Sequence, residues 1–357
     1  MMKYTLFASA ILSLCMLAPD YVAAKNVGVV APASGPYALL GAQVLAGARA
    51  AAEKSGDAVL VIDENCEAPD ANDMVARLVE AQAIAAVGFL CSETLAAALP
   101  QLKEAKIPAL TLSVRSGILM EDALRKDWPL FRLAPADGDE AEKVSEVILD
   151  RWKAYPVALL DDGTIYGREL ISAVRQRIEE AGLTPVFVDT YRPGQEQQVA
   201  LVRRLAKAGV SHAFVGGDRN DVAVIARDAA AENISLQIMA GDTMRAADRP
   251  VALRAGTLAV ALPPYEILAS SAEAVAALGA ADVEAEGYTL PAYAAVEIVL
   301  QAAEQGTQPL AQAIQSMSFE TAIGGIGFAE DHELKENPLR LQEWRDGSFR
   351  ALDVATD

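Results

Sequence analysis

The chain has 357 residues, 52% of them hydrophobic, and a formal net charge of −19. So acidic a chain lacks the basic stripe that nucleic acid or an anionic membrane surface requires of a partner. The acidity is that of a soluble surface and leaves the ligand undefined, while the length suffices for two domains of ordinary size.

The first residues address the compartment. Met1-Met2-Lys3 is a short basic start, 6–18 is an apolar run, and Val22-Ala23-Ala24 supplies small residues for cleavage. Residues 1–24 therefore read as a signal peptide cleaved near Ala24. The run is shorter than the ~20 residues a spanning helix needs. Leu14 before Cys15 is larger than lipoprotein processing accepts. The expected product is a soluble periplasmic protein. Without Cys15, two cysteines remain, Cys66 and Cys91. In an oxidising compartment their simplest reading is one disulfide, closing a loop of about 26 residues and contributing roughly 3 kcal/mol in the chain-entropy model. A catalytic cysteine is the other reading, but neither cysteine has an evident base nearby, and His212 and His332 are the only histidines.

Short apolar runs then alternate with longer amphipathic ones. Strands are predicted at 27–30, 59–62, 84–89, 109–112, 130–133, 157–160, 186–188, 213–215, 236–239 and 258–262. Alanine-rich segments with apolar residues every three or four positions lie between most of them, as at 44–52, 74–81, 170–178, 199–206 and 222–230. Strands alternating with helices imply an α/β architecture of parallel sheets covered on both faces. The alternation breaks near Ala134-Pro135-Ala136-Asp137-Gly138 and again near Leu262-Pro263-Pro264, after which come long helices at 288–303 and 310–317. A Gly324-Gly325-Ile326-Gly327 run precedes a last strand at 339–344. Two lobes follow, with several crossings between them: 25–134 plus 262–328 as the N-terminal lobe, and 135–261 plus 329–357 as the C-terminal lobe.

Open α/β sheets bind ligands beyond the carboxyl ends of their strands. In the first series those ends carry Pro32-Ala33-Ser34-Gly35-Pro36-Tyr37, Cys91-Ser92 and Ser113-Val114-Arg115-Ser116. In the second they carry Asp161-Asp162-Gly163-Thr164-Ile165-Tyr166-Gly167, Gly216-Gly217-Asp218-Arg219 and Gly241-Asp242-Thr243. Hydroxyls, helix N-termini and an arginine suit a carboxylate. An aromatic ring and carboxylates suit an ammonium. A zwitterion fits between the two sets. Any single Ser or Asp here is equally readable as a helix cap, and Tyr37 and Tyr166 as packing aromatics. Asp161-Asp162 reads as a turn. Dinucleotide, phosphate-loop and nucleophile-elbow motifs are absent, and two scattered histidines argue against zinc. Neither an enzyme nor a bound cofactor is expected.

Val30-Ala31-Pro32-Ala33-Ser34-Gly35-Pro36, Asp63 to Cys66, Gly88 to Ser92, Tyr166-Gly167 and Gly216-Gly217 stand in an order and spacing that resembles the leucine/isoleucine/valine-binding type of periplasmic solute-binding protein, over nearly the whole mature chain. The resemblance implies a type I, three-crossing clamshell that closes on an amino acid and presents it to the permease of an ABC importer, together with the Cys66–Cys91 disulfide. It implies that Ser92 holds the ligand carboxylate, that Leu90 and Cys91 form the adjoining wall, and that Ser113 contributes backbone. It also implies that Tyr166 lines the second lobe and that Asp242 takes the ammonium. Three positions depart: Leu40 and Asp218 replace tyrosines, and Arg115 replaces a carboxylate-holding threonine. A polar or charged amino acid, or another small carboxylate, is therefore expected rather than a purely aliphatic ligand. Arg115 has an alternative reading as an internal ion pair with Asp218 or Glu93. The expected protein is a monomer with no metal; the rival function is a sensor that hands the same clamshell's closed state to a signalling partner.

Overall fold

The computed structural model describes residues 24–246, 250–306 and 308–352. The predicted signal peptide and its cleavage site lie outside the described residues but for Ala24.

Two sheets organise the chain. The first contains β1 (Asn26–Ala31), β2 (Ala58–Asp63), β3 (Ala83–Gly88), β4 (Ala109–Thr111) and β5 (Leu130–Arg132), all parallel, in the order β2-β1-β3-β4-β5. The second contains the parallel strands β6 (Val157–Asp161), β7 (Phe187–Thr190), β8 (His212–Gly216), β9 (Gln237–Ala240) and β10 (Leu258–Ala261). A separate antiparallel hairpin pairs β11 (Ser318–Thr321) with β12 (Gly324–Gly327). Two antiparallel strands, β13 (Arg340–Arg345) and β14 (Ser348–Ala351), extend the second sheet to the order β14-β13-β10-β9-β8-β6-β7.

The apolar runs are continuous where a strand is covered on both faces. Val27, Val29 and Val30 of central β1 are fully buried, whereas edge strand β7 alternates between half-buried and exposed side chains. Helices Ala38–Ser55 and Thr289–Glu304 pack Val44, Val296 and Val299 against one face of the first sheet. Leu78, Leu95 and Leu99 of helices Ala71–Glu80 and Ser92–Ala105 cover its other face. The second sheet is enclosed likewise, by Leu201 and Val222 on one side and Val144, Val174 and Ile178 on the other.

The result is a two-lobed α/β clamshell with three crossings. The chain leaves the first sheet after β5, returns after β10, and crosses again between β12 and β13. The crossings are tied to one another. Buried Arg132 pairs with Glu333 on the third and also donates to the Val114 carbonyl at 3.2 Å. Asn337 Nδ2 donates to the Asp139 carbonyl at 2.8 Å, and Gln342 Nε2 to that of Leu262 at 3.1 Å.

All ten predicted strands between 27 and 262 form, as does the one at 339–344. The hairpin and β14 are additions. Glycine supplies three of the four residues of β12, so the usual β-branched and aromatic strand signal is missing there.

Candidate functional site

The first sheet presents its carboxyl edge through a loop wall built on one buried acid. Glu64 is 2% exposed. Its carboxylate accepts the backbone N–H groups of Leu90 at 2.8 Å and Cys91 at 3.0 Å. Burial pushes its carboxyl up to about 7, against the lowering effect of those two bonds. Cys66 and Cys91 are disulfide-bonded, with Cα atoms 5.5 Å apart. Phe89, just before the wall, has φ +53, a conformation a bulky residue rarely adopts. Its N–H donates to the Val30 carbonyl, its carbonyl accepts from Thr111 Oγ1, and its ring is fully buried. Together these contacts hold the strained turn in place. The wall delivers Ser92, solvent-exposed, as the first residue of helix Ser92–Ala105.

The predicted residues distribute as follows. Leu90 is half-buried and Cys91 buried in the wall; Ser113 is half-buried and Arg115 exposed after β4. Tyr166 lies in the first turn of helix Ile165–Glu180, and Asp218 caps helix Arg219–Ala231 by accepting from Asn220 N–H at 2.7 Å. Tyr37 ends a short 3-10 turn at 48% exposure, and Leu40 lies half-buried in the helix that follows. Of Asp161-Asp162, read from sequence as a turn, Asp161 closes β6 and Asp162 opens the loop after it: Asp161 accepts from Gly163 N–H and Asp162 from Thr164 N–H, each at 2.9 Å.

Arg115 and Asp242 meet directly. Arg115 Nη2 lies 3.1 Å from Asp242 Oδ2, joining the end of β4 to the end of β9 across the two sheets. Asp218 and Glu93, the internal partners the sequence suggested for Arg115, make no ion pair with it among the described residues. The groups read as carboxylate-holder and ammonium-holder thus neutralise each other. Asp242 Oδ1 also accepts the N–H of Leu262, on the second crossing, at 3.1 Å.

The sequence did not single out Glu140. It is 8% exposed, just past the first crossing, and its Oε1 accepts both Tyr166 O–H at 2.6 Å and Asp242 N–H at 2.7 Å. Burial raises its carboxyl above the ordinary range. Gly241 leaves room for these bonds, since a Cβ there would overlap Glu140 Oε1 and approach Tyr166 Oη to 2.9 Å, so one of them would have to shift. An acid in the first turn of a helix is so ordinary that no sequence signal marked this one.

A cavity of about 480 Å3 lies against the crossings, lined by Leu133, Leu262, Tyr265, Tyr288 and Phe319, with Arg245, Lys335 and Arg340 around it. Of the predicted residues only Ser113 and Arg115 reach it. It lies on the hinge side of the strand ends, which we take as the chemically furnished part.

The comparisons agree with this architecture. A family model described as periplasmic binding protein matches residues 25–348. The Leu/Ile/Val-binding protein homolog 3 of Brucella melitensis is 26% identical over 346 residues, covering 92% of this chain and 93% of its own. The structure of a putative branched-chain amino acid ABC transporter protein from Rhodospirillum rubrum superposes with TM-score 0.74 at 18% identity, covering 92% of this chain and all of the other. A solute-binding protein from Rhodopseudomonas palustris, in complex with p-hydroxybenzoic acid, gives TM-score 0.65 at 17% identity and covers 92% and 96%. The chain belongs to the periplasmic binding protein family, the group of solute-binding proteins that includes the leucine/isoleucine/valine-binding type. Solute binding is its general role.

Proposed function

We propose that this protein captures a small carboxylate, amino acids included, between its two lobes and delivers it to the permease of an ABC importer. The observation that carries the reading is the Arg115–Asp242 pair. It sets the carboxyl edges of the two sheets face to face, and such edges are where open α/β sheets bind ligands. The moving bodies would be residues 25–134 plus 262–328 and residues 135–261 plus 329–357, a division supported by sheet membership for the strands of the two main sheets and, for 262–328, by the packing of helix Thr289–Glu304 on the first sheet.

Ser92, with the wall of Leu90 and Cys91, receives the carboxylate in this reading, and Ser113 adjoins it. Tyr166 and Asp218 face it from the second lobe. Tyr37 and Leu40 border the outer end of the cleft. Arg115 serves the carboxylate by leaving Asp242, or stays paired and narrows the cleft. Closure follows when a ligand touches both lobes, because only contacts that differ between open and closed forms shift that equilibrium. The ligands named for the relatives, leucine-type amino acids in one and an aromatic carboxylate in another, share a carboxylate and little else, which agrees with placing the common chemistry at Ser92.

Calorimetry against a panel of amino acids and small carboxylates tests this. Saturable one-site binding of at least one is expected; no binding to any member contradicts the reading.

A further inference from the structure

We propose that the outer cleft holds a cationic group of the solute, in a subsite built from Tyr191, Asp162, Asp218 and Asp221. This rests on the solute-binding reading above and narrows its ligand class to carboxylates that carry an ammonium or guanidinium at a distance.

Tyr191 follows β7, Asp162 follows β6, and Asp218 and Asp221 follow β8. These are three neighbouring strands in the order β8-β6-β7. The order in which strands are added reverses between β6 and β8, the switch point at which a doubly wound sheet opens a crevice. In the first sheet the corresponding point lies between β1 and β3, and the loop after β3 leads to Ser92. The Arg115–Asp242 contact fixes β4 opposite β9. One strand further from the hinge on each side, the end of β3 therefore faces that of β8.

Tyr191 is 4% exposed, and its hydroxyl has no hydrogen-bond partner among the described residues. A Cβ on Gly217 would overlap that hydroxyl and come 3.2 Å from Asp162 Cβ, so the phenol and Asp162 converge on the Gly217 backbone. Burial, and after it the charges of Asp221, Asp162, Asp218 and Asp161, push the hydroxyl above its ordinary range. A buried hydroxyl with no partner loses free energy that a donor would restore.

The carboxylates are only half used. Asp161 accepts on both oxygens, from Gly163 N–H and Thr190 O–H. Among the described residues, Asp162, Asp218 and Asp221 each accept on Oδ1 alone, from Thr164, Asn220 and Gly194 respectively. Among the described residues none of the four makes an ion pair, and Asp221 titrates high because burial and its acidic neighbours disfavour its charge. No group of three or more carboxylates, histidines or cysteines among the described residues is placed to hold a metal ion. Spread oxygens with an unpartnered phenol hydroxyl beside them suit an organic cation instead. Asp242, the position otherwise expected to hold an ammonium, is engaged with Arg115.

The test is calorimetry of the mature protein with 5-aminovalerate, valerate, L-leucine and 4-hydroxybenzoate, repeated on Asp218→Asn and Tyr191→Phe. Asp218 is exposed and Phe keeps the ring, so both variants are expected to fold. The proposal predicts that 5-aminovalerate binds at least roughly tenfold tighter than valerate, the effect of one charged hydrogen bond, and that both variants shrink the gap. Valerate, leucine or 4-hydroxybenzoate binding as tightly as 5-aminovalerate overturns the cation subsite and leaves solute binding standing. A gap that both variants leave intact overturns these residues as its source. Failure of all four to bind overturns the subsite and counts against the parent reading.

Discussion

Arg115 Nη2 lies 3.1 Å from Asp242 Oδ2, and through Asp242 the contact continues to Leu262 on the second crossing and to Glu140 beside the first. One ion pair thus joins both lobes to two of the three crossings between them. Opening the lobes must break it or drag the crossings along.

Arg115 is 42% exposed, so the pair is screened and contributes less than about 1 kcal/mol to global stability. Its effect is expected on lobe geometry instead. Arg115→Ala should leave the melting temperature nearly unchanged while raising the ligand-free radius of gyration in small-angle scattering. High salt should move wild type the same way. A radius unaltered by both would mean that the pair does not hold the lobes together.

Glu64 makes the wall sensitive to pH. Its folded carboxyl titrates at about 7 against 4.5 for the free side chain, so between those values the folded protein binds a proton that the unfolded chain has lost. Stability from this group is present below 4.5 and is lost as pH rises through about 7, on the order of 3 kcal/mol at most. Burial shifts Asp139, Glu140, Asp221 and Glu297 in the same direction. These acids make stability fall across pH 4.5–7.5 in denaturant unfolding, against the opposite contribution of His212 and His332, which burial lowers. Glu64→Gln should lose part of the slope, and equal slopes would remove Glu64 as a contributor.

Gly241→Ala should disturb the site from beneath. The added methyl would push Glu140 off Tyr166 and Asp242, at a cost of about 1–3 kcal/mol for the unsatisfied buried groups. Unfolding free energy and tyrosine fluorescence would both report it; no change in either would show that Glu140 relaxes freely.

Much of this was legible in the chain itself. Apolar runs such as 27–30 and 213–215 announced buried parallel strands, and the turn residues after them put Ser92, Ser113, Tyr166 and Asp242 at the carboxyl edges. The pairing of Arg115 with Asp242 was not legible, because 127 residues separate them and only the packing of one sheet against the other decides which carboxylate the guanidinium meets. Tyr191 was hidden for a related reason. It sits beyond an edge strand, and its significance comes from aspartates supplied by two other strands. Glycine-rich β12 escaped because its pairing with β11, rather than its composition, makes it a strand.

The proposed function requires that a solute carboxylate be held at the start of helix Ser92–Ala105. Titrating wild type and Ser92→Ala with the panel's tightest ligand tests it most directly. A loss of about 1–3 kcal/mol in binding free energy is expected for a hydroxyl buried against a carboxylate, with melting temperature unchanged. Identical affinities would place the solute elsewhere and contradict the account.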